Sequence, residues 1–174
     1  MSSLWLTSDT HFFHENLIKW ETGRPEFNSI EEMHELIVDN WNKVVKKGDK
    51  VYHLGDVAIR YEEAELGRLL NRLNGQKRLI VGNHDDIRTF AKGSWFGKIQ
   101  TERYFQEFGF LLTHRPAHES GFIDKWDGRC INVHGHLHRK PSPTKHHYCV
   151  CVEQTNYTLV NFEELSTEIW KQKN

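Results

Sequence analysis

The sequence predicts an α/β protein built as a four-layer α/β/β/α sandwich, on the basis of three features. Its first half alternates short apolar runs with segments of helical period, whereas its second half carries apolar runs without long helices between them. A last amphipathic segment follows these runs. Consecutive strand-helix-strand units favour a parallel sheet with right-handed crossovers. The strand-rich half indicates a second, more antiparallel sheet stacked on the first.

The elements of the first half follow from apolar spacing and from capping residues. The predicted strands of this half cover Leu4–Thr7, Val51–Leu54 and Arg78–Val81. The helix after the first strand begins at a capping box, in which Ser29 caps an early amide and Glu32 reaches back. Gly48 is predicted to end that helix. A second helix is predicted over about Glu62–Leu73, where leucines recur at helical spacing.

The second half is predicted to consist of four strands and one helix. The strands cover Phe110–Thr113, Cys130–Val133, Tyr148–Val152 and Thr158–Val160. Asn161 is expected to cap the final helix, with Glu164 at the capping-box position. The glycine-containing segment Lys92–Lys98 is predicted to be a flexible loop near the site. No linker or repeat interrupts residues 1–174, so we expect a single domain.

Composition excludes several classes of protein. The net charge is −1 and no basic stripe is present, which argues against a dedicated duplex-binding surface. No apolar run approaches the ~20 residues that a membrane span needs. The N-terminus lacks the pattern of a secretory signal, so we expect a cytoplasmic protein. The three cysteines are predicted to be buried thiols rather than a disulfide framework. The composition gives no indication of an oligomeric state.

The 12 histidines in 174 residues are the unusual feature of the composition, because histidine is the commonest metal ligand. Five predicted strands are each followed by residues able to bind a metal: Asp9 and His11, Asp56, Asn83, His114, and His136 and His138. The carboxyl ends of strands form the ligand crevice of open α/β sheets. Each motif alone also fits a turn or a surface hairpin. The ordered set predicts a metal site.

This ordered set resembles the motifs of the calcineurin-like metallophosphoesterases. The matching segments are Asp9-x-His11, Gly55-Asp56, Gly82-Asn83-His84-Asp85, His114 and Gly135-His136-Leu137-His138. The opening residues 7–16, together with Gly23-Arg24-Pro25, are similar to a small prokaryotic or phage-type single-domain subgroup. The resemblance implies two stacked mixed β-sheets flanked by helices.

The resemblance also implies a role for each motif residue. It assigns one divalent metal to Asp9, His11 and His138, a second to Asn83, His114 and His136, and a bridging position to Asp56. The family's reaction is attack on phosphorus by a hydroxide that bridges the two metals. His84 would protonate the leaving oxygen and Asp85 would orient the ring of His84. Manganese is the expected metal, with iron, zinc, nickel and cobalt as alternatives for such mixed ligands.

The substrate class is predicted less directly. The segment after Asp56 lacks the second aspartate of the protein-phosphatase branch, and a small chain implies an accessible cleft. The missing aspartate argues against a protein phosphatase. The accessible cleft favours a small phosphodiester, such as a cyclic nucleotide or a short nucleic-acid end, over a phosphoprotein or another monoester. His14 and Arg115 are candidate substrate-binding residues.

Other residues and one other function stay open at this point. Three further arginines are secondary candidates for phosphate clamps, although each fits a solvated surface position better: Arg24, Arg60 and Arg139. His34, His53 and His134 are predicted to be structural, and His146 and His147 to lie on the surface. The alternative function is a non-catalytic metal-binding scaffold of the same fold.

Overall fold

The computed structural model describes residues 2–20, 24, 27–123 and 130–171. Gly23 and Pro25, which contribute to the subgroup resemblance, lie outside these ranges. The strands are β1 (Leu4–Thr7), β2 (Lys50–His53), β3 (Gln76–Ile80), β4 (Lys98–Gln100), β5 (Glu102–Phe105), β6 (Phe110–Thr113), β7 (Ile131–His134), β8 (His147–Cys149) and β9 (Val160–Asn161). The helices are α1 (Glu15–Trp20), α2 (Ile30–Val44), α3 (Glu63–Arg72), α4 (Ile87–Gly93) and α5 (Phe162–Lys171), with a 3-10 turn at Glu119–Gly121.

The strands form two mixed sheets flanked by helices, which confirms the predicted fold class. The first sheet has the order β4-β3-β2-β1-β9, with β9 antiparallel to β1 and the other pairs parallel. The second has the order β5-β6-β7-β8, and only β5 and β6 pair in antiparallel fashion.

Two sequence predictions about these sheets are wrong. The second sheet is mostly parallel rather than antiparallel, and the strand expected at 158–160 pairs as β9 with the first sheet. In the described residues, loops and a 3-10 turn make the connections between β6, β7 and β8. The helical period that marks a parallel crossover is therefore missing from this half of the sequence.

The first sheet buries both of its faces, because successive side chains of a strand point to opposite sides. Val51 and Leu79 pack against helices α2 and α3 in one apolar cluster. Their neighbours Tyr52 and Ile80 pack against the second sheet in another. Phe162 of α5 joins the cluster between the sheets. The two sheets are thus fixed face to face, and the carboxyl ends of their parallel strands meet at one edge.

The helix caps are predicted well at their beginnings and less well at their ends. The Ser29 side chain accepts a hydrogen bond from the amide of Glu32, as predicted, but the Glu32 carboxylate bonds to the amide of Asn28. Helix α2 ends at Val44, before Gly48, so the predicted glycine stop is wrong. Asn161 accepts bonds from two amides at the start of α5, which confirms this cap.

The segment Lys92–Lys98, predicted to be a loop, is a loop only in its middle. Helix α4 runs to Gly93, and β4 begins at Lys98. Between them Phe96 is buried, with its ring 5.6 Å from that of Phe90 of α4. Aromatic packing against α3 and α4 therefore orders a segment whose local composition favours a turn.

Other predictions concern buried groups and the membrane. The three cysteines are free and buried, as predicted. His147 is also buried, and its Nε2 lies 2.8 Å from the carbonyl oxygen of Ala117, so its predicted surface position is wrong. His134 is buried and bonded through both ring nitrogens, which confirms a structural role. In the described ranges, no helix has the length and apolar character needed to cross a membrane.

The buried His34 makes stability depend on pH. Its Nε2 accepts a hydrogen bond of 2.9 Å from the amide of Phe13. Burial lowers the pKa of His34 from 6.5 to about 4, so the folded state binds fewer protons here than the unfolded chain between these values. We expect the free energy of unfolding to fall as the pH drops from 6.5 to 4, with His34 contributing at most about 1.4 kcal/mol per pH unit.

Denaturant unfolding of the metal-free protein at several pH values in this window measures the effect. His34→Gln keeps an acceptor for the Phe13 amide but does not titrate, so its pH dependence should be shallower than that of the wild type. His118→Gln removes an exposed histidine and should leave the slope unchanged. Equal slopes for the wild type and His34→Gln would contradict the assignment.

Candidate metal centre

The loops after five strands meet where the two sheets come together. Main-chain bonds join the loops after β1 and β2, because the amides of Asp9 and His11 donate to the carbonyls of Gly55 and Asp56 over 3.0 and 3.1 Å. The second sheet joins through the amide of Gly135, which donates to the carbonyl of His114 over 2.9 Å. The strand ends predicted to converge therefore do so.

Three of the predicted ligands form a first group, made of Asp9, His11 and His138. One ligand atom from each lies within 4.8 Å of the others. The Asp9 Oδ1 atom lies 3.7 Å from Nε2 of His11 and 3.8 Å from Nε2 of His138. Both imidazoles thus face the same carboxylate oxygen, an arrangement that can hold one divalent cation.

A second group consists of Asp56, His114 and His136, whose ligand atoms also lie within 4.8 Å of one another. The rings of His114 and His136 have centroids 5.1 Å apart. The Asn83 Oδ1 atom lies 3.1 Å from Nε2 of His114, so the predicted asparagine ligand is also at this position. The structure therefore brings together all seven predicted ligands.

The Asp56 carboxylate lies between the two groups. Its Oδ2 atom is 3.7 Å from Nε2 of His11 in the first group and 3.4 Å from Nε2 of His114 in the second. Its Oδ1 atom accepts a bond of 2.9 Å from the amide of His84. One oxygen is thus fixed by the protein, and the other faces both candidate metal positions.

The unused atoms of these side chains fit bound metal ions. Asp9 Oδ1 and His11 Nε2 are buried, and neither has a hydrogen-bond partner in the described part of the chain. Such groups cost free energy unless a ligand satisfies them. His114 and His138 use Nδ1, with the carbonyl of Leu54 at 2.7 Å and the carboxylate of Glu153 at 2.8 Å. With Nδ1 donating, Nε2 faces the cluster and can bind a metal once it carries no proton.

Asp9 is held as a carboxylate with one oxygen fixed. Its Oδ2 atom accepts bonds from the Ser8 hydroxyl, the His136 amide and the Cys151 thiol. Burial alone would raise the pKa of Asp9, but the neighbouring His11 and His114 and the Ser8 bond outweigh it and lower the pKa below its usual value. Burial opposes and Asp56 favours a raised pKa for His114, and the raised value prevails.

The backbone at the site is strained. Five of the seven candidate ligands have left-handed backbone angles: Asp9 (φ 58°), His11 (48°), Asp56 (55°), His136 (68°) and His138 (51°). This conformation costs a non-glycine residue about 1–3 kcal/mol, and such residues cluster at functional sites. It turns successive side chains of these short loops toward one point. The strain supports a functional rather than a structural cluster.

His84 and Asp85 occupy different environments. The exposed His84 ring lies 5.9 Å from the ring of His11, beside the first group. The carboxylate of Asp85 instead accepts bonds from the amides of Asp56, Val57 and Gly82, over 2.7–3.0 Å. Both of its oxygens are used by the main chain, so the prediction that Asp85 orients the His84 ring is corrected. Asp85 fixes the loop that carries Asp56.

The two candidate substrate-binding residues lie on either side of the cluster. The His14 ring is 5.5 Å from that of His11, and burial, followed by the charge of His11, lowers the pKa of His14 to about 4. Arg115 is exposed and borders a shallow hollow of about 340 Å³ together with Asn83 and His114. Both residues therefore border the candidate metal cluster.

Sequence reasoning missed the residues that support the ligands from behind. Arg24, expected to be a phosphate clamp or a surface residue, is buried and ion-paired with Glu153 at 2.8 Å. Glu153 and Cys151 were not singled out as part of the site, although they contact His138 and Asp9. The sequence around these residues does not indicate a role in the site, because their partners are more than a hundred residues away or on another loop. The exposed Arg60 and Arg139 agree with a surface position.

Comparison with known proteins supports this description. Residues 2–173 match the calcineurin-like phosphoesterase family. The chain belongs to this family. The uncharacterized protein MJ1445 of Methanocaldococcus jannaschii is 36% identical over 99% of this chain and 94% of its own. The Gene 66 protein of Mycobacterium phage L5 is 36% identical over 84% of this chain and 82% of its own.

A solved structure agrees with the fold. The crystal structure of the protein of unknown function AQ665 from Aquifex aeolicus superposes with a TM-score of 0.78 and 27% identity, over 96% of this chain and 99% of that one. Family membership and the two buried aspartate-histidine groups together support a metal-dependent phosphoesterase. The archaeal and phage relatives agree with the prokaryotic or phage-type resemblance.

The close approach of Gly135 to Asp9 gives a test of the site. A Cβ atom at Gly135 would overlap both Oγ of Ser8 and Oδ2 of Asp9. Gly135→Ala should therefore lower the free energy of unfolding by about 1–3 kcal/mol through overpacking. It should also weaken metal binding, because Asp9 must move.

Thermal unfolding and manganese titration measure the two effects. The control is Gly48→Ala, where a Cβ would meet nothing within 4 Å, and its effect should stay within about 0.5 kcal/mol. If Gly135→Ala bound manganese as tightly as the control, Asp9 would not be a ligand.

Proposed function

We propose that this chain is a dinuclear metal-dependent phosphoesterase that favours phosphodiesters over monoesters. The position of Asp56 Oδ2 carries the proposal, because it lies within 3.7 Å of an imidazole nitrogen from each of the two groups. A carboxylate shared in this way partly cancels the repulsion between two cations held ~3.5–4 Å apart. The seven proposed metal ligands are Asp9, His11, Asp56, Asn83, His114, His136 and His138.

The proposed metals are two divalent ions, with manganese favoured and iron, zinc, nickel or cobalt as alternatives for this mixed oxygen and nitrogen set. The chemistry supplied by such ions, when bound, is polarisation of the phosphoryl oxygens and a lowered pKa for the attacking water. The protein's part is to hold the ligands in place before substrate arrives, through the main-chain bonds of Asp56 and Asp85.

His84 is the proposed proton donor to the leaving oxygen. Its amide is bonded to Asp56 Oδ1, so the loop that carries the ring is tied to the shared carboxylate. The ring itself is exposed beside His11 and takes no part in either ligand group. An imidazole so placed can reach the leaving group of a phosphate ester bound across the two groups.

The proposed substrate is a small phosphodiester, such as a cyclic nucleotide or a short nucleic-acid end. The hollow beside Asn83 and His114 continues outward along Thr101, Thr113 and Arg115. A diester has a second substituent that needs space beyond the scissile phosphate, and this hollow offers it together with a guanidinium. A guanidinium binds phosphate or other anionic groups through paired hydrogen bonds.

Hydrolysis of a diester with and without manganese tests the function. The wild type should hydrolyse bis(p-nitrophenyl) phosphate only with the metal. His84→Ala should lower kcat for a dinucleotide, whose leaving oxygen needs a proton, by about 100-fold or more, the usual contribution of a general acid, without changing the number of bound ions. His118→Ala, which removes an exposed histidine of the 3-10 turn region, is the matched control and should keep full activity.

A second diester separates proton donation from positioning. A dinucleotide has a poorer leaving group than a nitrophenyl ester, so loss of a proton donor should slow its hydrolysis more. An equal loss on both diesters would contradict proton donation by His84. Binding of two ions without turnover of any diester or monoester would favour the scaffold alternative.

The role of Arg115 has a separate test. Arg115→Gln should raise KM for the dinucleotide about tenfold, corresponding to ~1.4 kcal/mol of binding, while kcat changes little. Arg68→Gln, at an exposed position on α3, is the control and should leave both constants unchanged. An unchanged KM for Arg115→Gln would remove this residue from the substrate site.

A further inference from the structure

The buried guanidinium of Arg24 contacts the loop that carries two ligands of the first group. Its Nη2 atom donates to the carbonyl of Asp9 over 2.8 Å, and Nη1 donates to that of Thr10 over 3.4 Å. The Arg24 side chain is 0% exposed. These bonds fix the left-handed turn at Asp9 and His11, whose conformation is unfavourable by itself.

The same guanidinium contacts the third ligand of that group through Glu153. Nε and Nη2 of Arg24 donate to Oε1 of Glu153 over 2.9 and 2.8 Å. The same oxygen lies 2.8 Å from Nδ1 of His138. A carboxylate at this nitrogen keeps the proton on Nδ1, so Nε2 of His138 stays free to bind a metal beside Asp9.

The second group is held by different contacts. The His114 ring is oriented by the carbonyl of Leu54, and the loop with Asp56 is fixed by Asp85. None of the hydrogen bonds that the structure gives for Arg24 and Glu153 reaches Asn83, His114 or His136. Apart from the bond between the His136 amide and the Asp9 carboxylate, the described contacts behind the ligands therefore divide between the two metal positions.

We infer that Arg24 and Glu153 are positioning residues for one metal only, the ion held by Asp9, His11 and His138. This inference rests on the proposed two-metal function. Arg24 holds the backbone of two ligands, and Glu153 sets the tautomer and direction of the third. Loss of either contact should weaken the first position and leave the second intact. Substitution of a residue that hydrogen-bonds to a metal ligand typically lowers the affinity for the metal about 10–100-fold.

Manganese titration of metal-free protein by calorimetry, with the bound ions counted by elemental analysis, tests the inference without any substrate. The wild type should bind two ions per chain. Glu153→Gln should still bind two, with one step weakened about 10–100-fold and the other unchanged. The double variant Arg24→Gln/Glu153→Gln removes both buried charges and should show the same selective loss.

Two further variants keep the test independent of general destabilisation. Arg72→Gln breaks the exposed pair with Glu35 and should leave both steps unchanged. His138→Asn removes a first-group ligand, and adding Glu153→Gln to it should cause no further loss if Glu153 acts through His138. Circular dichroism of each metal-free variant establishes that it is folded.

The outcomes separate this inference from the proposed function. Selective weakening of one step, absent from the Arg72→Gln control, supports it. Equal weakening of both steps, or an additional loss in the His138→Asn background, overturns the inference while the two-metal site stands. A wild type that binds no manganese or other divalent ion overturns both.

Discussion

The arrangement of this site depends on the carboxylate of Asp56. Its Oδ1 atom is tied to the loop after β3 through the His84 amide, and its Oδ2 atom faces imidazoles that follow β1 and β6. Room for it exists because residue 82 is glycine, where a Cβ would overlap Oδ1. The Asp85 carboxylate accepts hydrogen bonds from the amides of both Asp56 and Gly82, the two residues that meet here. One side chain thus fixes the relative position of loops from both sheets.

This concentration of polar groups is stabilised by the surroundings rather than by its own contacts. Several ligands adopt left-handed backbone angles, and buried atoms such as Asp9 Oδ1 have no protein partner in the described ranges. Both features are unfavourable in isolation. Apolar packing on the two faces of the first sheet holds the strand ends in register, so the loops cannot relax. Stability of the sandwich is therefore the condition for a site that is preformed before a metal binds.

The ligands are supported from two directions. On one side, the buried pair of Arg24 and Glu153 contacts the first group, and on the other the Leu54 carbonyl and Asp85 support the second. A buried ion pair contributes little net stability by itself, because desolvation offsets its attraction. Its persistence here agrees with a role in placing ligands. His84 and Arg115, by contrast, are exposed at the edge of the cluster.

Local sequence predicts three strands of the first sheet (β1, β2 and β3), the N-terminal caps of α2 and α5, and the order of ligand motifs at strand ends, because these depend on neighbours a few residues apart. Tertiary packing sets the parallel pairing of the second sheet and the placement of β9. It also brings Phe96, in the segment before β4, against Phe90 of α4. It also decided that Asp85 serves the main chain and that Arg24 pairs with Glu153, 129 residues away. Such contacts join distant segments. Local composition and spacing do not predict which polar groups packing brings together.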